Sequence, residues 1–332
     1  MKAIIARQPG GIDVLEMVDL PTPEPGDGEV RIKVHASAVN RADLLQREGN
    51  YPLPPGAGPV LGLEAAGTID AIGPGVSGWA VGDRAMALLT HGGYAEYVVV
   101  AAGQVMQIPE ALNWILAAAV PEVFLTAWQA LGRQTPARPG DWVLVHAAAS
   151  GVGTAALQIA RELGAKTIGT TRSRDKATQI EDLADHVIVP NGADFAETVA
   201  HLTDGHGADV IIDLVGAPYW AENLRALAID GKMALIGLVG GRRTDLDLGA
   251  LLARRATVVA STLRARSVAQ KSELVASFVE WGIPRLADRR LRPMVHDLVP
   301  LTRVADAHRE LEGNQAVGKI VLAISEDGLV PM

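Results

Sequence analysis

The chain has 332 residues, room for roughly two domains of ordinary size, and its 48% hydrophobic share excludes a disordered polymer. The 38 Asp+Glu against 30 Lys+Arg leave a formal charge of -8, which argues against broad, phosphate-driven nucleic-acid binding. Cysteine is absent, which excludes disulfides, thiolate-held zinc, iron–sulfur clusters and a cysteine nucleophile.

Met1 to Ala6 runs directly into Arg7 and the turn Pro9-Gly10-Gly11, too short for a signal h-region. The most apolar stretch, Trp114 to Trp128, is broken by Pro121-Glu122 and falls short of a membrane span, so a soluble cytoplasmic protein is expected. Val30, Ile32, Val34 and Ala36 alternate with Arg31, Lys33, His35 and Ser37, the period of a half-buried strand. Four prolines between Asn50 and Pro59, then Gly73-Pro74-Gly75 and Gly82-Asp83, mark turns. Gly67–Ile72, Arg84–Leu89 and Tyr94–Val100 are strand candidates between them. Short strands without regular helices predict a partly closed β domain.

Near residue 120 the texture changes. Apolar runs Trp142–Ala147, Thr167–Thr170, Val187–Val189, Val210–Val215, Lys232–Gly237 and Thr257–Thr262 read as strands. Helices are expected at about 152–163, 175–184, 194–203, 218–229 and 248–255 between them. Ala156, Ile159, Ala160 and Leu163 share one face of the first of these. The alternation predicts an α/β, doubly wound Rossmann domain with a six-stranded parallel sheet. Beyond residue 290, Leu298–Leu301, a helix over Val304–Leu311 and the strand Lys319–Ile324 either extend that sheet or return to the first domain.

The strand ending at Val145 leads into His146-Ala147-Ala148-Ala149-Ser150-Gly151-Val152-Gly153 and then a helix. Small residues admit a pyrophosphate to the backbone amides, and the helix N-terminus contributes its positive end. A tight βα turn needing glycine explains the same residues more blandly. Some 20 residues on, an NAD-preferring site places an acid at the end of the second strand. Arg172, Ser173 and Lys176 stand there instead, a set suited to a 2′-phosphate, so NADPH is the expected cofactor.

Several segments carry a family likeness. They are Asn40-Arg41-Ala42-Asp43, Leu61-Gly62-Leu63-Glu64-Ala65-Ala66-Gly67, Gly78-Trp79-Ala80-Val81-Gly82-Asp83-Arg84, Pro121 to Trp128, Ser150-Gly151-Val152-Gly153 and Asn314 to Leu322. Through them the whole chain resembles the medium-chain dehydrogenase/reductase superfamily, in which a GroES-like β domain precedes a Rossmann domain. This likeness implies the division 1–119 with 290–332, and 120–289. Zinc-dependent members carry Gly-His-Glu where this chain has Gly62-Leu63-Glu64. With cysteine absent as well, the likeness is to the zinc-free quinone oxidoreductase (zeta-crystallin-like) family. Gly49-Asn50-Tyr51 with its following prolines, and Ser150, resemble its tumour-suppressor-inducible branch.

The resemblance implies that Asn40, Tyr51 and Thr126 line the nicotinamide end, and that Ser150, Gly151, Val152 and Gly153 hold the pyrophosphate. It sets Arg172, Ser173 and Lys176 on the 2′-phosphate. Gly237, Leu238, Val239, Leu263, Arg264 and Arg266 lie against the nicotinamide half, with Asn314, Gly318 and Lys319 closing from the tail. Pro190 replaces a Tyr common near the adenine end of relatives, which weakens adenosine stacking. Asn40 and Asp43 equally suit capping of the following helix, and Thr126 can bond a backbone carbonyl.

The implied reaction is NADPH-dependent hydride transfer to a quinone or similar conjugated carbonyl, with Tyr51, Asn40 and Arg41 as donors to the reduced oxygen and no metal. Enone or enoyl-thioester reduction, or an NADPH-binding structural or sensor role, are the alternatives. An apolar last strand at the sheet edge points to a homodimer.

Overall fold

A computed structural model describes residues 1–51 and 53–329; Pro52, in the proline-rich segment, and residues 330–332 lie outside the description. By its contacts the chain divides into a unit of residues 1–125 with 263–332 and a unit of residues 126–262. The tail alternative is resolved within the first unit. Lys319–Ala323 pairs antiparallel with Glu29–Val39, and Val295–Pro300 pairs parallel with Lys319–Ala323. The sheet continues through Glu64–Ile72, Arg84–Leu88 and Val105–Gln107, while Tyr97–Ala101 pairs with Glu29–Val39.

Glu29–Val39 alternates in burial only to Lys33; from Val34 onward every residue is buried. The second half of the strand is covered on both faces, so its polar side chains need internal partners.

The contact-based units change over at 125/126 and 262/263, where the sequence reading divides the chain at 119/120 and 289/290. The helix Val268–Ala287, for which the sequence reading predicts no element, belongs to the first unit. It packs against Ala102–Gln104 so closely that a Cβ on Gly103 would stand 2.5 Å from the Ser272 hydroxyl. Its inward face carries Lys271, Leu274, Val275, Phe278, Gly282 and Leu286. Pro284, normally a terminator, sits inside the helix and obscures it in the sequence. The first unit also holds the helix Arg41–Arg47, which Asn40 and Asp43 precede as expected, and the helix Trp114–Ala118.

In the second unit the six predicted strands form one parallel sheet. Their order is His186–Ile188, Lys166–Thr170, Trp142–Val145, Ala208–Asp213, Leu227–Leu235 and Thr257–Ala260. The chain starts in the middle and winds outward both ways, so the order switches beside Trp142–Val145, where such sheets bind ligands. Five helices, Gly151–Glu162, Arg174–Ile180, Ala196–Leu202, Trp220–Ala226 and Leu248–Arg254, occupy the predicted intervals. The first strand ends at Val145, two residues early, because Ala147 takes a φ of 46°, left-handed backbone incompatible with a strand. Among the described residues no helix is long and apolar enough to cross a membrane.

Candidate active site

In the first unit, Glu64 lies where the strand Glu64–Ile72 begins and is wholly buried. Its Oε1 receives the Lys319 ammonium at 2.8 Å and the Asn40 amide at 2.8 Å, and its Oε2 accepts the backbone N–H of Glu122 at 2.9 Å. Lys319 Nζ also donates to Asn40 Oδ1 at 2.5 Å and to the Val39 carbonyl at 2.8 Å. The Asn40 side chain is thus fixed by both members of a buried ion pair at the residue that caps the helix Arg41–Arg47. Asp43 supplies the cap, accepting the Asn40 backbone N–H at 2.8 Å. Tyr94 Oη donates to the same oxygen of Asp43 at 3.0 Å.

Three acids share this region, and burial raises two of them. Asp43 is pushed up to about 6 by desolvation, against the pull of the Asn40 N–H and Lys319. Glu122 is pushed up to about 8 by desolvation, reinforced by the Glu64 carboxylate. Glu122 therefore holds a proton at neutral pH.

Tyr51 is half-buried, and the Arg264 guanidinium carbon lies 5.2 Å from its ring centre. Burial and the nearby Glu122 raise the phenol, so Tyr51 stays a hydrogen-bond donor. Arg264 donates to the Thr90 carbonyl at 2.9 Å and to Gln46 Oε1 at 2.6 Å. Arg41 bonds the Leu311 carbonyl and Asn314 Oδ1, both at 2.8 Å, tying its helix to the tail segment. Asn314 takes a φ of 53°. A Cβ on Gly318 would meet the Met294 carbonyl at 2.3 Å, so the turn into Lys319 requires glycine.

In the second unit, Ser150 caps Gly151–Glu162 by accepting the Gly153 N–H at 3.1 Å, leaving the earliest helix amides without an intrahelical acceptor. A Cβ on Gly153 would stand 2.4 Å from the Ala147 carbonyl. That helix consequently starts close against the strand, which brings its amides to the loop.

A buried chain of polar groups holds the strand ends behind it. His146 accepts from Thr170 Oγ1 at 2.8 Å and donates to Asn223 Oδ1 at 2.6 Å, since the Asn223 amide nitrogen donates to Asp213 at 3.0 Å. Asp213 then accepts the Val215 and Gly216 amides at 2.7 and 2.9 Å. Burial lowers His146 to about 4, which keeps it neutral and the chain intact. Arg172 is exposed at the end of Lys166–Thr170, Ser173 caps the next helix, and Lys176 lies in its first turn. Gly237, Leu238 and Val239 follow Leu227–Leu235, with Leu238 49% and Val239 60% exposed.

The predicted residues thus fall in two sets. Asn40, Arg41, Tyr51, Leu263, Arg264, Arg266, Asn314, Gly318 and Lys319 belong to the first unit. Thr126, the 150–153 loop, Arg172, Ser173, Lys176 and 237–239 belong to the second. Within the first, Asn40 meets Lys319, Arg41 meets Asn314, and Tyr51 meets Arg264. The sequence reading assigns no role to Glu64, Glu122, Thr90 or Lys271. A readable signal exists for Glu64, a lone charge inside the apolar run Leu61–Ala66.

Two family models match the chain: the alcohol dehydrogenase GroES-like domain over residues 26–110 and zinc-binding dehydrogenase over residues 151–280. Human quinone oxidoreductase is 30% identical over 328 residues, 98% of each chain. The chain belongs to the medium-chain dehydrogenase/reductase family. Among solved family members, Escherichia coli quinone oxidoreductase complexed with NADPH superposes with a TM-score of 0.86 at 30% identity, covering 98% of this chain and 100% of that one. The apo JamJ enoyl reductase gives 0.87 at 27% identity, covering 98% and 99%. A mycocerosic acid synthase-like polyketide synthase of Mycobacterium tuberculosis is 32% identical over 97% of this chain, which spans only 15% of that protein.

The donor set does not fit the zinc of the family's metal-binding branch. Leu63 stands where that branch has His, cysteine is absent, and Glu64 is already bound to Lys319, Asn40 and the Glu122 amide. Among the described residues no group of three His, Asp or Glu gathers for a metal ion.

Proposed function

We propose that the chain is an NADPH-dependent reductase that delivers hydride to a quinone or a similarly conjugated carbonyl without zinc. The observation that carries this reading is the cationic Arg172, Ser173 and Lys176 set at the end of the second strand, where an NAD site would hold an acid. The close helix start at Gly153 suits a pyrophosphate, and the similarity to a quinone oxidoreductase complexed with NADPH supports the same cofactor.

Bound NADPH supplies the hydride; the protein binds, orients and stabilises charge. Gly151 and Val152 offer amides to the pyrophosphate, while Gly153, its N–H taken by Ser150, lets the helix start close to the strand. Arg172 forks onto the 2′-phosphate, joined by the Ser173 hydroxyl and the Lys176 ammonium. Tyr51, kept protonated by burial, donates to the developing negative oxygen, while Asn40, whose amide hydrogens go to Glu64 and the Ala38 carbonyl, serves to fix the start of its helix beside the site. Arg41 is committed to Leu311 and Asn314, so its part is to fix the tail on which Gly318 and Lys319 stand. Thr126, Gly237, Leu238, Val239, Leu263, Arg264 and Arg266 complete the nicotinamide side.

Enone or enoyl-thioester reduction is the second reading, favoured by the similarity to JamJ enoyl reductase. The exposed edge strand Thr257–Ala260, with Leu248 and Leu252 exposed beside it, supports a homodimer, which sedimentation equilibrium tests. The deciding experiment follows NADPH and NADH oxidation with quinones, enones and an enoyl thioester. Quinone-dependent turnover preferring NADPH is expected. Turnover of the thioester alone overturns the substrate, and NADPH binding without turnover indicates a sensor.

A further inference from the structure

We propose that Arg264, Lys271 and His91 form an anion subsite beneath Tyr51, and that the preferred acceptor bears a carboxylate on its conjugated ring. The inference rests on the reductase reading for the word acceptor, but the anion site itself is argued from this unit alone.

Arg264 and Lys271 are 4% and 2% exposed. Among the described residues Arg264 donates only to neutral groups, the Thr90 carbonyl and the Gln46 amide oxygen, and its buried Nη1 has no partner. Lys271 Nζ, with three hydrogens to place, donates to the Thr90 hydroxyl at 2.6 Å. His91 Nε2 accepts the Gly58 N–H at 3.3 Å, so the neutral ring carries its proton on Nδ1, which is also buried without a partner. The unmet groups of these three side chains are donors, while the unpartnered acceptor Asp43 Oδ1 acts on Arg264 through space without an ion pair. Among the described residues no carboxylate pairs with either cation; Glu64 is taken by Lys319, and Glu122 is protonated at neutral pH.

Two further facts sharpen the imbalance. Lys271 lies in the first turn of the 20-residue helix Val268–Ala287, where the helix dipole adds positive potential. Burial lowers both cations from their usual range, and burial first, then the two cations, hold His91 down. Buried charges ordinarily have a partner. A carboxylate is the group that meets a guanidinium edge, an ammonium and an imidazole N–H together. The half-buried Tyr51, stacked on Arg264, is the side chain an entering ring would displace or stack upon.

The test is calorimetric titration of the full chain, saturated with NADP⁺, with benzoate and with its neutral isostere benzamide. Benzoate is expected to bind at least about tenfold more tightly, the scale of one charge-assisted hydrogen bond. Lys271→Met should abolish that preference and Lys271→Arg should keep it. Equal binding of the two probes by the wild type overturns the proposal, as does benzoate binding seen only without NADP⁺, which would give the cations to the cofactor. A parallel assay compares a carboxylated naphthoquinone with its methyl ester, expecting the ratio of kcat/KM values to fall in Lys271→Met. Benzoate preference with no quinone, enone or enoyl thioester reduced would refute the reductase reading and leave the subsite standing. Quinone reduction without benzoate preference would refute the subsite alone.

Discussion

Lys319 and Glu64 meet at 2.8 Å with 4% and 0% of their side chains exposed, joining the tail strand to the strand that begins at Glu64. Neither charge has water to fall back on, so removing one strands the other. Lys319→Met or Glu64→Gln should each lower stability by about 3–5 kcal/mol. Combining them should recover part of the loss. Urea unfolding of the two single variants and the double variant measures this, and strictly additive losses would show that the pair is not coupled.

Arg172 stands exposed at a strand end with no acid in the matching position. Arg172→Asp should weaken NADPH binding by roughly 10–100-fold, the value of a charge-assisted hydrogen bond, and improve NADH. Fluorescence titration with both nucleotides reads the outcome. Unchanged NADPH affinity would remove Arg172 from the cofactor site.

Tyr51 keeps its proton and lies over Arg264. Tyr51→Phe retains the ring and loses the hydroxyl, so kcat should fall about 10–100-fold while the Kd for NADPH stays within about twofold. If kcat is that of the wild type, the hydroxyl is not the donor.

Glu122 links pH to stability. Its carboxyl is raised from an ordinary value of 4.5 to about 8, so the folded chain holds a proton that the unfolded chain releases. Stability from this group is full below 4.5 and is lost as pH rises through about 8, by at most about 1.4 kcal/mol per pH unit. Asp43, raised from 3.8 to about 6, acts with the same sign over a lower window. His146, lowered from 6.5 to about 4, acts oppositely, weakening the fold as pH falls below 6.5. Urea unfolding of wild type and Glu122→Gln at pH 6 and 8 should show the wild type losing more stability on the alkaline side. Parallel changes would place the proton elsewhere.

Much of this architecture was legible in the sequence because periodicity follows burial. The six parallel strands are short and covered on both faces, so their apolar runs stand out, as Trp142–Val145 and Ala208–Asp213 do. The cationic strand end was readable for a different reason: Arg172, Ser173 and Lys176 are local in the chain. Partners far apart in the chain were not. Asn40 was legible as a cap, yet Glu64 and Lys319, 24 and 279 residues away, claim its side chain. Lys271 gave no signal of its own while the helix bearing it was masked by Pro284.

The return of the tail strand also sets an order of events. Ile320 pairs with Val39 and Ala323 with Ala36 across most of the chain's length. Residues 126–262 contain all the strands of their own sheet, so during synthesis they can close while the ribosome still holds the residues after them. The strand Glu29–Val39, translated far earlier, waits with one apolar edge open until the last part of the chain emerges. Glu29–Val39, made before the second unit, is therefore completed after it, and in that interval its open edge is a stretch with need of a chaperone.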